Sequence, residues 1–189
     1  LKDVAERMDL ENDLHHAAAR GELRLYYQPL INMETGEIDG FEALVRWQHP
    51  KRGLVPPDSF IPIAEETGII HNIGNWVFKE SARQLAQWST NEAGRRWRMH
   101  VNVSTNQIYD DNLPQQFQDD AQRAGVTPQR FVLEVTESTF TTKIETTIKT
   151  LNALRSAGFT LAMDDFGTGY SSLSMLHRFP INELKIDRT

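Results

Sequence analysis

Met163-Asp164-Asp165-Phe166-Gly167-Thr168-Gly169-Tyr170-Ser171-Ser172 is the stretch around which this chain is organised. The apolar run Phe159 to Met163 leading into it reads as a buried strand, so two adjacent carboxylates stand at that strand's carboxyl end. Gly167 and Gly169 let the following loop take positive φ or approach a ligand closely. Adjacent aspartates repel one another. Two unit charges about 4 Å apart cost roughly 1 kcal/mol in water and about 4 kcal/mol at the dielectric typical near a protein surface. A divalent cation reverses that sign, because carboxylate oxygens are preferred ligands of Mg2+ and Mn2+. Asp and Gly are also ordinary turn formers, so the rest of the chain decides between a plain turn and a cation site.

Around this strand, apolar runs and helical patterns alternate. Strands are expected near Met99–Val103, Phe131–Val135, Thr160–Met163 and Glu183–Ile186, with helices near Leu113–Ala124 and Ile144–Ala157. Alternation of this kind predicts a parallel sheet covered by helices, and a barrel in preference to an open sheet. Earlier, Leu23–Ile31 and Gly40–Trp47 read as two strands joined around Glu34-Thr35-Gly36-Glu37, a hairpin and therefore antiparallel. Ser59 is expected to cap a helix that carries Pro62 in its first turn and ends at Gly68. Ile73, Trp76, Val77, Leu85 and Trp88 recur at helical spacing through a longer helix. At the start, Asp9 is expected to cap a helix from Leu10 to Arg20 closed by Gly21. Leu1, Val4 and Met8 extend it backwards as an amphipathic connector. Residues 1–20 are therefore read as a connector from an upstream domain of a longer protein, and 21–189 as one domain.

The 189 residues suffice for a sizeable core, or for most of a barrel of about 250 residues. No apolar run is long enough to span a membrane and no signal-peptide pattern opens the chain. Without cysteine, disulfides and thiolate metal sites are excluded, and a cytoplasmic location is compatible. A net charge of −6 argues against a surface for polymeric nucleic acid. It leaves an anionic small substrate open, since bound metals can outweigh nearby carboxylates locally.

Because side chains alternate along a strand, parity tests whether the polar residues share one interior. Glu42, Leu44 and Arg46 fall on one face, and Ala43, Val45 and Trp47 on the other. Asn102 and Ser104 oppose Val101 and Val103; Glu134 and Thr136 oppose Leu133 and Val135. Asp164 opposes Met163, and Lys185 with Asp187 opposes Leu184 and Ile186. Each strand thus offers one apolar face to helices and a polar residue to the other side, near the strand ends where barrels carry catalytic groups. Glu42, Asn102, Glu134, Asp164 and Asp165 form an all-oxygen set that suits Mg2+ or Mn2+. They exceed what one Mg2+ takes from protein, so two ions bridged by Asp164 are expected, a centre that fits displacement at a phosphodiester. Lys185 could hold or deprotonate the water if metals depress its pKa, and Arg46 could fork onto a phosphate or form a structural ion pair. His49 before Pro50 reads as structural, His15, His16, His71, His100 and His177 lack metal-ligand spacing, and Trp76, Trp88 and Trp97 read as packing residues.

Taken together, Glu42-Ala43-Leu44-Val45-Arg46-Trp47 resembles the signature of the EAL-domain family of cyclic di-GMP phosphodiesterases. The resemblance extends through Gln28-Pro29, Phe60-Ile61-Pro62-Ile63-Ala64-Glu65, Asn102-Val103-Ser104, Leu133 to Ser138, the Asp164–Ser172 loop and Leu184-Lys185-Ile186-Asp187. It implies a modified (α/β)8 TIM-like barrel with an antiparallel first strand, and Mg2+- or Mn2+-dependent hydrolysis of one phosphodiester of cyclic di-GMP to linear pGpG. It implies that Glu42, Asn102, Glu134, Asp164 and Asp165 ligate metal and that Lys185 positions or activates the water. By the same resemblance Glu137 anchors the Asp-Asp-Phe-Gly loop, and Gln28, Leu44 and Arg46 meet substrate. The connector resembles the one that follows a GGDEF domain, so an upstream GGDEF or sensor domain is expected, and a homodimer is left open. The family continues through two more strands carrying a further catalytic glutamate and a substrate-contacting glutamine. This sequence stops shortly after Asp187, so the last strands are expected to be missing. Two other readings compete: a silent cyclic di-GMP receptor, and a Mg2+-dependent barrel enzyme with Lys185 as a proton-abstracting base.

Overall fold

Two hydrophobic periods build the molecule, a period of two in short runs and a helical period between them. A computed structural model describes residues 2–166 and 178–186, with side chains from Arg7 onward. In order come α1 (Lys2–Ala17), β1 (Leu23–Ile31), β2 (Ile38–His49), β3 (Gly53–Val55), α2 (Pro57–Thr67) and α3 (Ile70–Trp88). They are followed by β4 (Arg98–Asn102), α4 (Thr105–Ile108), α5 (Leu113–Ala124), β5 (Phe131–Thr136), α6 (Ile144–Ser156), β6 (Thr160–Phe166) and β7 (Glu183–Ile186). Short 3-10 turns at Pro128–Arg130 and Glu137–Phe140 flank β5.

The strands form one sheet in the order β1-β2-β4-β5-β6-β7, with β3 folded back on the end of β2. The first two strands pair antiparallel, as the hairpin pattern predicts, while β2, β4, β5, β6 and β7 run parallel. Gly36, at φ 72°, makes the hairpin turn. In a flat sheet, four strand spacings of about 4.8 Å would hold β2 and β7 roughly 19 Å apart. Yet Lys185 of β7 reaches Glu42 of β2 at 3.1 Å, and Arg98 of β4 reaches Glu183 of β7 at 2.5 Å. The sheet is therefore curled into the wall of a barrel, with those side chains inside. Among the described residues β1 and β7 each have one neighbour, so the strands around Leu25 and Leu184 are the two edges.

The convex face carries the core. In α3, Ile70, Ile73, Val77, Phe78, Ala82 and Leu85 are buried at helical spacing. Phe78 stacks on Phe117 of α5 with centroids 3.9 Å apart, and Phe131 and Phe159 close around the pair. Trp88 and Trp97 pack edge-on to each other beside Phe41, confirming a packing role. Leu10, Leu14 and Ala17 bury α1 against the same core.

Three local expectations are corrected. Asp9 lies inside α1, because helical residues continue upstream of it, and is no cap. The N-cap of α2 is Pro56, with Pro57 supplying a preset φ for the first turn and Ser59 already helical; Gly68 does close the helix at φ 77°. Leu184 and Ile186 are exposed, since no described helix covers that face of β7.

Candidate active site

The register of the sheet sets the site. Gln28 stands opposite Glu42, Glu42 beside His100, Asn102 beside Glu134, and Thr136 beside Asp164. Carboxylates from three strands consequently converge on one cation. Lys185 Nζ donates to Glu134 Oε2 at 2.6 Å, to Glu42 Oε2 at 3.1 Å and to Asp164 Oδ2 at 3.4 Å. Burial by itself would lower the lysine pKa, but the hydrogen bond and charge of Glu134, with Glu42 and Asp164, outweigh it and raise it above the ordinary lysine range. The three carboxylates thus favour the charged ammonium in the metal-free site.

Asn102 Nδ2 donates to the other oxygen of Glu42, Oε1, at 2.9 Å. His100, one pleat below Asn102 on the same face, hydrogen-bonds through Nδ1 to Glu134 Oε1 at 2.7 Å, and both residues are almost wholly buried. The two carboxylate oxygens of Glu134 are therefore fixed by Lys185 on one side and His100 on the other. Spacing along the chain gives His100 no metal-ligand role. The parity that singled out Asn102 also puts His100 inside, and that signal was available in the sequence.

Asp165 adopts the left-handed region at φ 55°, and its N–H donates to Asp164 Oδ1 at 3.0 Å. The register between β6 and β7 shifts between Met163 and Phe166, a bulge that breaks strict alternation where the paired aspartates fall. Glu137 is buried on the 3-10 turn after β5. Of the Asp-Asp-Phe-Gly loop it is expected to anchor, Asp164 to Phe166 are described, while Gly167 to Ser172 lie outside the described residues, as do Asp187 and His177.

A cavity of about 620 Å3 opens beside these groups, within the range that holds small ligands. Its walls include Leu44 and Arg46 of β2, Asn102, Glu134 and, from α2, Asp58 and Glu65. Burial raises the Glu65 carboxyl pKa. Arg46 pairs with no carboxylate among the described residues, contrary to a structural ion pair; its guanidinium donates to the Val45 carbonyl and lies over the Tyr26 ring. A Ser104–Gln107 capping box opens α4 and fixes the chain just after Asn102. Gln107 sits so close to α3 that a Cβ on Gly74 would run into its carboxamide and push that side chain off its cap. His49 proves structural: Nε2 meets Asp13 Oδ2 at 3.0 Å, while Nδ1 accepts the N–H groups of Lys51 and Arg52.

The donor chemistry, all oxygen with carboxylates predominating, fits a hard divalent cation. As the side chains stand, no three His, Asp or Glu residues are grouped to chelate an ion among the described residues, and Glu42, Glu134 and Asp164 instead meet the ammonium of Lys185. A cation would share these oxygens with Lys185.

These strand ends make a curled α/β barrel wall that carries acidic groups and Lys185 on its inner side. The EAL domain family model matches residues 11–189, and the chain belongs to that family. It is 41% identical over 187 residues to the bifunctional diguanylate cyclase/cyclic di-GMP phosphodiesterase MucR of Pseudomonas aeruginosa, covering 98% of this chain and 27% of MucR. It is 42% identical over 186 residues to the oxygen sensor protein DosP of Escherichia coli, covering 98% of this chain and 23% of DosP. The solved MucR phosphodiesterase in complex with c-di-GMP superposes with a TM-score of 0.89, over 95% of this chain and 72% of that one. The fold is accordingly the TIM-like barrel variant of EAL structures, of which this chain covers part. It spans about a quarter of the length of these curated relatives. Among the described residues, no helix is long and apolar enough to cross a membrane.

Proposed function

We propose that this chain is the phosphodiesterase domain of a longer signalling protein, with residues 1–20 as its connector, and that it hydrolyses cyclic di-GMP to linear pGpG. The observation that supports this most is the convergence of Glu42, Glu134 and Asp164 on Lys185 beside a cavity of about 620 Å3 lined by Arg46, which has no carboxylate partner among the described residues. Glu42, Asn102, Glu134, Asp164 and Asp165 would hold Mg2+ or Mn2+, two ions by their number. Bound there, such ions supply a water of lowered pKa and neutralise charge on the phosphoryl group.

The side chains do the rest. Arg46 grips a phosphate oxygen through its planar fork, with Gln28 and Leu44 beside the ligand. His100 holds Glu134 in one orientation, so the oxygen facing the reaction is fixed before substrate arrives. Lys185, within hydrogen-bond reach of Glu134, Glu42 and Asp164, positions or activates the water. Water adds to phosphorus and gives up one proton to solvent, the P–O3′ bond breaks, and the leaving oxygen takes a proton from solvent to become a 3′-hydroxyl. The product carries a 5′-phosphate.

Lys185 as built-in counter-ion also suits a receptor that binds the dinucleotide without cleaving it. One assay separates the two: incubation of the full-length protein with cyclic di-GMP and Mn2+, followed by chromatography. Production of pGpG that ceases with chelator or Glu134→Gln supports the enzyme. Binding without product supports the receptor.

A further inference from the structure

The main-chain ladder between β4 and β5 ends at the rung where Asn102 stands beside Glu134, with the Val103 N–H donating to the Glu134 carbonyl at 2.8 Å. Beyond it the two chains part, one into α4 and the other into the 3-10 turn Glu137–Phe140. Side-chain hydroxyls take over where the ladder stops. Thr105 Oγ1 and Thr139 Oγ1 share a hydrogen bond at 2.8 Å, and at the far end of α4 the Tyr109 hydroxyl meets Thr142 Oγ1 at 2.6 Å. A helix of four residues is a single turn, too short to hold its place by itself. Two staples, one at each end, fix α4 against the segment that follows β5. Thr139 is fully buried, so water cannot replace a lost partner there, and Thr136 Oγ1 at 3.5 Å is too distant to do so. The same hydroxyl-rich edge borders the site: Thr105, Thr136 and Ser138 line the cavity with Asn102 and Glu134.

We propose that Thr105 and Thr139 are positioning residues for the metal centre, their shared hydrogen bond setting the turn that carries Glu137 against the strand end that carries Asn102. The assignment rests on the metal-centre reading above. Asn102 stands three residues before Thr105, and Glu137 two before Thr139. Divalent ions take their oxygens at fixed spacing, and Mg2+ demands near-ideal octahedral geometry. The bond ties together the segments that bear these groups just where main-chain pairing no longer does so.

The test compares wild type with Thr105→Val, Thr139→Val, the double variant and Thr139→Ser in the full-length protein. Valine keeps the shape of threonine and removes its hydroxyl. Mn2+ affinity is measured calorimetrically without substrate, amide exchange over residues 137–141 in chelator, and kcat and KM for cyclic di-GMP in Mn2+. Each valine variant should weaken Mn2+ binding and lower kcat about three- to tenfold, the worth of one neutral hydrogen bond, with KM within about twofold. Exchange in the Glu137 turn should rise. The double variant should lose little more than the worse single one, since both remove the same bond. Thr139→Ser should recover most of the loss. Thr105 is half-buried, so Thr105→Val decides the matter if the Thr139 variant fails to fold. Wild-type Mn2+ affinity and exchange in Thr105→Val, or losses that add in the double variant, overturn the positioning role while leaving the metal reading in place. A wild-type protein that binds no Mn2+ overturns both.

Discussion

Replacing Lys185 by Met removes the charge on which the interior acidic cluster depends while keeping the length of the side chain. Glu134 has a fully buried side chain, and those of Glu42 and Asp164 are 15% and 20% exposed. Removing one partner of a buried pair costs roughly 3–5 kcal/mol, because the other charge is left uncompensated. Partial exposure of Lys185, Glu42 and Asp164 places the loss near the lower end, about 3 kcal/mol, most of it at Glu134. For a domain of this size, melting shifts by about 2–4 °C per kcal/mol, so the variant should melt roughly 6–12 °C below wild type in chelator. Millimolar Mn2+ should shrink that gap, since a cation that binds only the folded state replaces the missing charge. Differential scanning calorimetry with and without chelator reads both effects. A variant melting within about 2 °C of wild type in chelator refutes the role of Lys185 as counter-ion. A gap that Mn2+ leaves unchanged refutes the proposal that these carboxylates hold metal.

Three further outcomes follow from single contacts. His100→Leu strips the hydrogen bond from a buried Glu134 oxygen and should cost about 1–3 kcal/mol in urea unfolding; turnover should fall about 10- to 100-fold, as for loss of a partner that orients a metal ligand. Gly74→Ala forces Gln107 away from its cap and should destabilise by about 1–3 kcal/mol, with added amide exchange at Ser104 and Gln107 in mass spectrometry. The hydrogen bond from His49, aided by Arg20, holds the Asp13 carboxyl below the usual carboxylate range. A depressed carboxyl stabilises the folded state above its unfolded pKa, and this is lost as pH falls through the folded value. Chemical denaturation should therefore show wild type more stable than Asp13→Asn at neutral pH, with the difference closing below about pH 4. A difference that widens with acid would contradict the assignment.

Residues that define an element by long periodicity were legible in the sequence. The bounds of β1, β7 and α5 agree with the apolar patterns, and strand parity placed Glu42, Asn102, Glu134, Asp164 and Lys185 on one interior. Short elements were not legible: β3 and α4, of three and four residues, are too brief to carry a period. Caps misled for a physical reason. Asp9 and Ser59 are competent cap residues, but α1 gains burial through Leu10, Leu14 and Ala17, and α2 takes its start from consecutive prolines. The pairing of Lys185 required distances to three carboxylates on separate strands, which no local pattern contains. Leu184 and Ile186 alternate correctly for a buried face, yet alternation states only which side a residue takes, and a neighbouring element must supply the cover.

The claim that Glu42, Asn102, Glu134, Asp164 and Asp165 form a two-ion centre is tested most directly by anomalous diffraction from crystals of the protein grown with Mn2+ and cyclic di-GMP. The account predicts two Mn2+ peaks within ligand distance of those five side chains, bridged by Asp164, with a phosphate of the dinucleotide against them. Dinucleotide density in the cavity with no Mn2+ peak at the carboxylates, and Lys185 still paired with Glu134, would contradict it.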